Sequence, residues 1–397
     1  MKSLRLHLSV VLLFVCLPPF LSAQSSSAWP SLFDYVEDMG NVSFEEEGVN
    51  ELDSAIFAMF SYIGFEGTAA ESGKGGMCLR ELSNRFFSSE FRYSLRNQND
   101  VIWPSCLKML EKAAQCKRYE DIKVRGYVNL VDESEPYQFS AIIFSISPLL
   151  HFVVFRGTDM SIAGWRDTFL MTCENQTVTQ ILSVNYLEEW ASLLDGKIHV
   201  CGHSKGANLA IYASAQARPE VQERIETVWN FDGPGFSRNH DMLERIKAID
   251  ARIKTYVPET SLVGMLMRSF SSYAIVNSNN RLFLQHDLFS WQVDGNRFEK
   301  IEELSRTSRM FDSTMNATIA NLSDAQFRII INALFDSMED AGIHNILDIG
   351  DNTGRFTASL AEACLFSGKE TRRTLLYVSK CLAKNFKQAR REEKNRR

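Results

Sequence analysis

Through the middle of the chain, short runs dense in β-branched and aromatic residues alternate with longer runs whose apolar side chains recur at helical spacing. Gln138–Ser147 and Leu149–Asp159 are rich in isoleucine, valine and phenylalanine and are separated by a turn at Pro148, the pattern of a β-hairpin. Downstream the pattern predicts a helix over Val184–Leu194, a strand over Lys197–Ser204 and a helix over Gly206–Ala217. A strand over Arg224–Gly235, a helix over His240–Asp250, and strands over Arg252–Pro258 and Tyr273–Ser278 follow. Such alternation predicts an α/β protein with a mostly parallel central sheet covered by helices. In sheets of this kind functional residues gather at the carboxyl ends of the strands.

The flanks read as helical. Leu52, Ile56, Phe57 and Phe60 share one helical face, and Ser105–Tyr119 has the same period. Beyond Glu299 the pattern is a helical C-terminal extension, where Ser323 and Gln326 have the spacing of a capping box. The stretch Ile346–Phe356 mimics the glycine loop of a methyltransferase, but a nucleotide site needs a full βαβ unit with further strands. It is read as a loop with turn residues.

At the amino end Lys2 and Arg5 precede an apolar run from Leu8 to Leu17, then Pro18–Pro19 and Ser22–Ala23, the layout of a secretory signal peptide over residues 1–23. This predicts a secreted or periplasmic protein with an α/β body and helical C-terminal part over residues 24–365 and a basic helical tail over 366–397. Seven cysteines remain outside the leader, irregularly spaced. They match neither a disulfide framework nor a zinc pattern, although Cys106 and Cys116 are near enough in sequence to bridge. The net charge of −6 conceals a division: Lys369–Arg397 carries eleven lysines and arginines against three acids, so the body is acidic and the tail is strongly basic. Leu375, Val378, Leu382 and Phe386 lie at helical spacing within that tail, which suits either a helix on an anionic membrane surface or one packed on the acidic body. The acidic body and the export signal argue against a nucleic-acid partner.

The chemistry centres on Gly202-His203-Ser204-Lys205-Gly206, a G-x-S-x-G match set between a strand and a helix. There the glycines permit a sharp turn, and Ser204 projects from a strained corner as a nucleophile. A serine hydroxyl attacks only when a histidine takes its proton, and that histidine needs a carboxylate to hold its tautomer. Of the three downstream histidines, His286 lies after the last strand of the alternating series, where the order Ser, acid, His places it. His240 opens a polar helix and His344 lies in a distal loop, which points to surface or capping roles. Two carboxylates end strands, Asp232 and Glu259. Glu259 is preferred because it follows the second strand after the serine helix, and Asp232 stays open; Asp287, next to His286 in sequence, is a poor third. Thr158 and Lys205 are the two residues whose amides fit an oxyanion hole. Arg156 suits a structural ion pair, with Asp167 as a candidate partner.

The serine motif, the FRGT segment Phe155–Thr158 followed by Trp165 and Asp167, and the later FDGPGF and VPETSLVGML segments resemble the Mbeg1-like, lipase-like family of α/β-hydrolases, itself similar to the class 3 lipases. The resemblance runs from Glu47 to Phe298. It implies an α/β-hydrolase fold with Ser204 as nucleophile, His286 as base and Thr158 near the oxyanion hole. It does not choose between Glu259 and Asp232. Ala207 departs from the family pattern, which has a second glycine there. The expected activity is cleavage of a carboxylic ester, of a lipid or other acyl compound, through an acyl-enzyme that uses no metal or organic cofactor. Competing readings are a noncatalytic hydrolase-like protein that binds a lipid or envelope partner, and a thioesterase or peptidase on the same machinery.

Overall fold

The computed structural model describes residues 29–67, 75–88, 103–132, 137–159, 161–171, 176–236, 240–267, 272–345 and 348–396. The expected leader lies outside them. Their largest sheet has strands β1 (Met77–Cys78), β2 (Lys123–Asp132), β3 (Tyr137–Ser147), β4 (Leu150–Phe155), β5 (Lys197–His203), β6 (Ile225–Phe231), β7 (Ile253–Pro258) and β8 (Ala274–Val276), side by side in chain order, with Lys300–Ile301 on the far edge. The strands β1 to β4 run antiparallel, and β4 to β8 run parallel. This is the α/β-hydrolase fold, a mostly parallel sheet flanked by helices. The hairpin at Pro148 and each strand of the alternating series form where the pattern placed them, within a few residues. The strand β2 has no counterpart in that pattern.

Parallel strands are buried on both faces, so their sequences are continuously apolar rather than alternating. One face carries a core built from helix Glu51–Phe60, where Phe57 lies 5.0 Å from Phe144 and 4.8 Å from Phe152, ring centre to ring centre. The other face carries helix Val178–Leu193 and the serine helix Lys205–Gln216, packed over Val153, Val200 and Val228. Helices Arg306–Ala320, Asp324–Asp340, Ile349–Phe366 and Lys369–Asn395 form a separate apolar cluster that reaches Ile162 and Met267. Ser323 and Gln326 make the anticipated capping box. The stretch read as a loop with turn residues is instead the start of helix Ile349–Phe366: Ile349, Phe356 and Leu360 bury one face, and this packing outweighs Gly354. The expected tail is a continuous helix that buries Val378 and Leu382 in the same cluster.

Cys106 and Cys116 do not bridge to each other, and Cys78, Cys116, Cys201 and Cys381 are free thiols. Among the described residues no helix is long and apolar enough to cross a membrane.

The core holds histidines that burial keeps neutral. His199 stacks 4.7 Å from Phe152, and burial pushes its pKa from 6.5 down to about 4 despite Glu226 at 3.5 Å, whose half-exposed carboxylate is too solvated to offset the loss of water. The unfolded chain takes up a proton at this position below pH 6.5 while the folded chain does not, so stability falls as pH drops from 6.5 toward about 4. By pH 5 this one residue costs about 2 kcal/mol. Urea unfolding at pH 7.5 and pH 5 should show the loss, and a His199→Phe variant should show a smaller one; equal losses would place the acid sensitivity elsewhere.

Candidate active site

Four parallel strands deliver the chemistry to one edge. Gly157 and Thr158 follow β4, Ser204 follows β5, Asp232 follows β6, and Glu259 follows β7. His286 ends a short 3-10 turn, Leu282–His286, after β8.

Ser204 has φ 57° and ψ −132°, in the left-handed half of the backbone map that residues with a Cβ seldom enter. The strand must turn into the serine helix within a single residue, and the two motif glycines make this sterically feasible. A Cβ on Gly202 would lie 2.2 Å from the carbonyl carbon of Gly206, and one on Gly206 would lie 2.1 Å from the oxygen of Phe155. Ala207, the departure from the family pattern, faces Gly233 and is accommodated because that neighbour has no side chain. Among the described residues Ser204 Oγ makes no hydrogen bond, and the residue is 6% exposed.

The histidine is held by a buried carboxylate. His286 Nδ1 donates to Asp232 Oδ2 at 2.6 Å, and Asp232 is 1% exposed. A carboxylate only accepts, so the proton sits on Nδ1 and Nε2 keeps a free lone pair. Asp232 is itself braced: Oδ1 accepts from Ser261 Oγ at 2.5 Å and from Gly264 N–H at 3.2 Å, and its backbone sits at φ 49°. The acid that faces His286 is therefore Asp232 and not Glu259, the preferred candidate from the sequence. Glu259 is committed by its backbone, whose N–H donates to Val276 O and whose carbonyl accepts from Ser305, one strand farther along the sheet. Asp287 caps the next turn by accepting from Phe289 N–H at 3.0 Å.

The expected oxyanion donors follow two adjacent parallel strands, Thr158 after β4 and Lys205 after β5. Lys205 N–H opens the serine helix, where no intrahelical acceptor exists. Its side chain turns the other way, fully buried, donating to Gln138 O at 2.6 Å and Asp167 Oδ2 at 2.9 Å. Asp167 thus pairs with Lys205 rather than with Arg156, which donates to Asn129 Oδ1 at 2.8 Å. Removing one partner of a buried pair strands the other charge, so Asp167→Ala should lower stability by about 3–5 kcal/mol in chemical denaturation. Unchanged stability would mean that Lys205 reaches solvent. Thr158 is fixed by Thr168, their hydroxyls 2.6 Å apart. The strand-end loop closes tightly on the nucleophile: a Cβ on Gly157 would stand 3.1 Å from Ser204 Cβ and 2.0 Å from the Tyr62 hydroxyl.

That tyrosine belongs to a connection the sequence did not disclose. The Tyr62 hydroxyl lies 2.8 Å from His203 Nδ1, and His203 Nε2 lies 2.8 Å from the backbone oxygen of His286. A carbonyl only accepts, so Nε2 carries the proton and Nδ1 accepts from Tyr62. Burial, and then the neighbouring His286 with its ring centre 4.4 Å away, hold His203 well below the ordinary histidine pKa. His203 is a positioning residue, a neutral strut beneath His286. A His203→Leu variant should lose roughly tenfold to a hundredfold in kcat with little change in KM, since small displacements of a base are costly. His203→Gln, which keeps a donor and an acceptor, should recover most of the loss; failure to recover would make the contact simple packing.

His240 opens helix His240–Ile249, and His344 is exposed. Among the described residues no group of three or more His, Cys, Asp and Glu side chains is gathered as a metal site.

The Mbeg1-like family matches residues 113–336, over half of the chain. The chain belongs to the Mbeg1-like family. Membership of this lipase-like family supports a hydrolase of the lipase type. Among solved structures it is similar to the crystal structure of M37 lipase, with 13% identity over 55% of this chain and 70% of that one and a TM-score of 0.34. No curated protein matches it in sequence.

Proposed function

We propose that this Mbeg1-like protein is a serine esterase that cleaves a carboxylic ester of an acyl compound through an acyl-enzyme. The observation that carries the reading is the buried 2.6 Å contact from His286 Nδ1 to Asp232, which leaves Nε2 basic at the strand edge that also presents Ser204. Ser204 Oγ attacks the acyl carbon while its proton passes to His286 Nε2, and Asp232 stabilises the imidazolium. The amides of Lys205 and Thr158 receive the oxyanion. His286 then gives the proton to the departing alcohol, and a water activated by the same nitrogen releases the acid.

An apolar acyl group is supported by the aromatic wall beside the base. Phe283 stacks on His286 at 5.9 Å, and Trp165 lies 6.3 Å from Phe283. The segment Ser261–Phe270, whose apolar residues fit either an acyl pocket or the core, contributes Ser261 and Gly264 to bracing Asp232 and buries Met265 and Met267. The leader layout supports export of the mature protein, which mass spectrometry of the amino terminus of secreted material checks.

The direct test is reaction of the purified protein with a fluorescent fluorophosphonate, together with hydrolysis of p-nitrophenyl esters of two to sixteen carbons. Stoichiometric labelling with turnover that rises toward medium or long chains is expected. A well-folded protein that neither labels nor turns over any of these esters would sink the reading.

A further inference from the structure

The carboxyl-terminal helix Lys369–Asn395 packs on the body through Thr374, Val378, Leu382 and Ala389. Its opposite face, by the period of 3.6 residues per turn, holds Arg373, Lys380, Lys384, Lys387, Arg391 and Lys394, all exposed. The ion pairs of this helix lie elsewhere, through Glu393 to Arg309 and Arg396, and among the described residues none of these six cations has an acidic partner. The spacing worsens the repulsion. Lys380 and Lys384, like Lys387 and Arg391, stand four apart, and Lys384 and Lys387, like Arg391 and Lys394, stand three apart, where like charges oppose each other. The result is a straight cationic strip about 30 Å long on a helix that the body holds rigid.

Exposed apolar groups occur on the same helix and at the corner before it. Leu376 and Tyr377 are 44% and 42% exposed, and at the corner leading into the helix Leu365 and Phe366 are 49% and 80% exposed. We infer that this face docks the protein on an anionic lipid surface, with the lysines and arginines over the headgroups and Phe366 reaching the acyl boundary. A planar array of negative charge relieves the whole strip at once. Exposed aromatic and aliphatic side chains at headgroup level gain burial there that phosphates of a nucleic acid do not offer. Each basic residue near such a surface strengthens attachment about fivefold.

The inference does not rest on the hydrolase reading, and Ser204→Ala protein should bind vesicles as the parent does. The test is co-sedimentation of the full chain with vesicles of phosphatidylcholine alone or with a third of phosphatidylglycerol, in 0.1 M and 0.5 M NaCl. Binding to the anionic vesicles at least about tenfold above the neutral ones, largely lost at high salt, is expected. The triple variant Lys380→Glu, Lys384→Glu, Lys387→Glu should reduce it by about a hundredfold or more, and Phe366→Ser by several-fold, with circular dichroism unchanged in both. Equal binding to neutral vesicles, a triple variant that binds like the parent, or a duplex oligonucleotide that binds more tightly than the anionic vesicles would each overturn it.

Discussion

Ser204→Ala is expected to abolish fluorophosphonate labelling and to lower ester turnover by roughly 10⁶-fold, the loss seen when the nucleophile of a cooperating set is removed. The size follows from the proposed chemistry, in which the Ser204 hydroxyl forms the acyl bond and the remaining donors only polarise the substrate for attack by water. Stability should barely change. Ser204 Oγ makes no hydrogen bond among the described residues, and alanine meets the same backbone strain at φ 57° as serine. The unfolding free energy should stay within about 0.5 kcal/mol of the parent, as for a substitution that removes no packing or pairing. Turnover that survives in Ser204→Ala would place the nucleophile elsewhere.

The second large effect separates the two acids. In Asp232→Asn, the side-chain oxygen can still accept from Ser261 and Gly264, which leaves its NH₂ group facing His286 Nδ1. Two donors then oppose each other, and the imidazole escapes by moving its proton to Nε2. The base is thereby blinded toward Ser204, with a loss of about 10⁴-fold in kcat while the fold persists. Glu259→Gln should keep activity within several-fold, because its carboxylate is not the one against His286. A Glu259→Gln enzyme as impaired as Asp232→Asn would reverse the assignment. Gly264→Val adds a structural check, since a Cβ there would stand 2.5 Å from Asp232 Oδ1 and displace the carboxylate without touching the triad chemically.

The serine elbow was legible because a motif confined to five residues carries its own geometric demand: two glycines, a strand before and a helix after. The place of His286 beside the same strand edge was legible by order along the chain. The acid was not, since Asp232 and Glu259 both end strands, and which one reaches His286 depends on the positive φ at Asp232 and on the Ser261–Gly264 turn that receives its second oxygen. The strand β2 escaped the hydrophobic pattern because Arg125, Gly126 and Asn129 interrupt it and the ladder to β3 shifts register between Arg125 and Val128. The helix Ile349–Phe366 was hidden by turn-forming residues that tertiary packing overrides. The strut from Tyr62 to His203 joins positions 141 residues apart, a contact no local pattern encodes.

The contribution of Tyr62 carries a practical consequence for dissection. The family match begins at residue 113, yet helix Glu51–Phe60 and Tyr62 lie upstream, covering Phe144 and Phe152 and supporting His203. A fragment trimmed to the matched limits would present a bare aromatic sheet face to water and leave a buried imidazole nitrogen without its donor. Such a fragment should collect in inclusion bodies. Any recombinant boundary drawn for this protein has to start before Leu32, where the first helix of that layer begins.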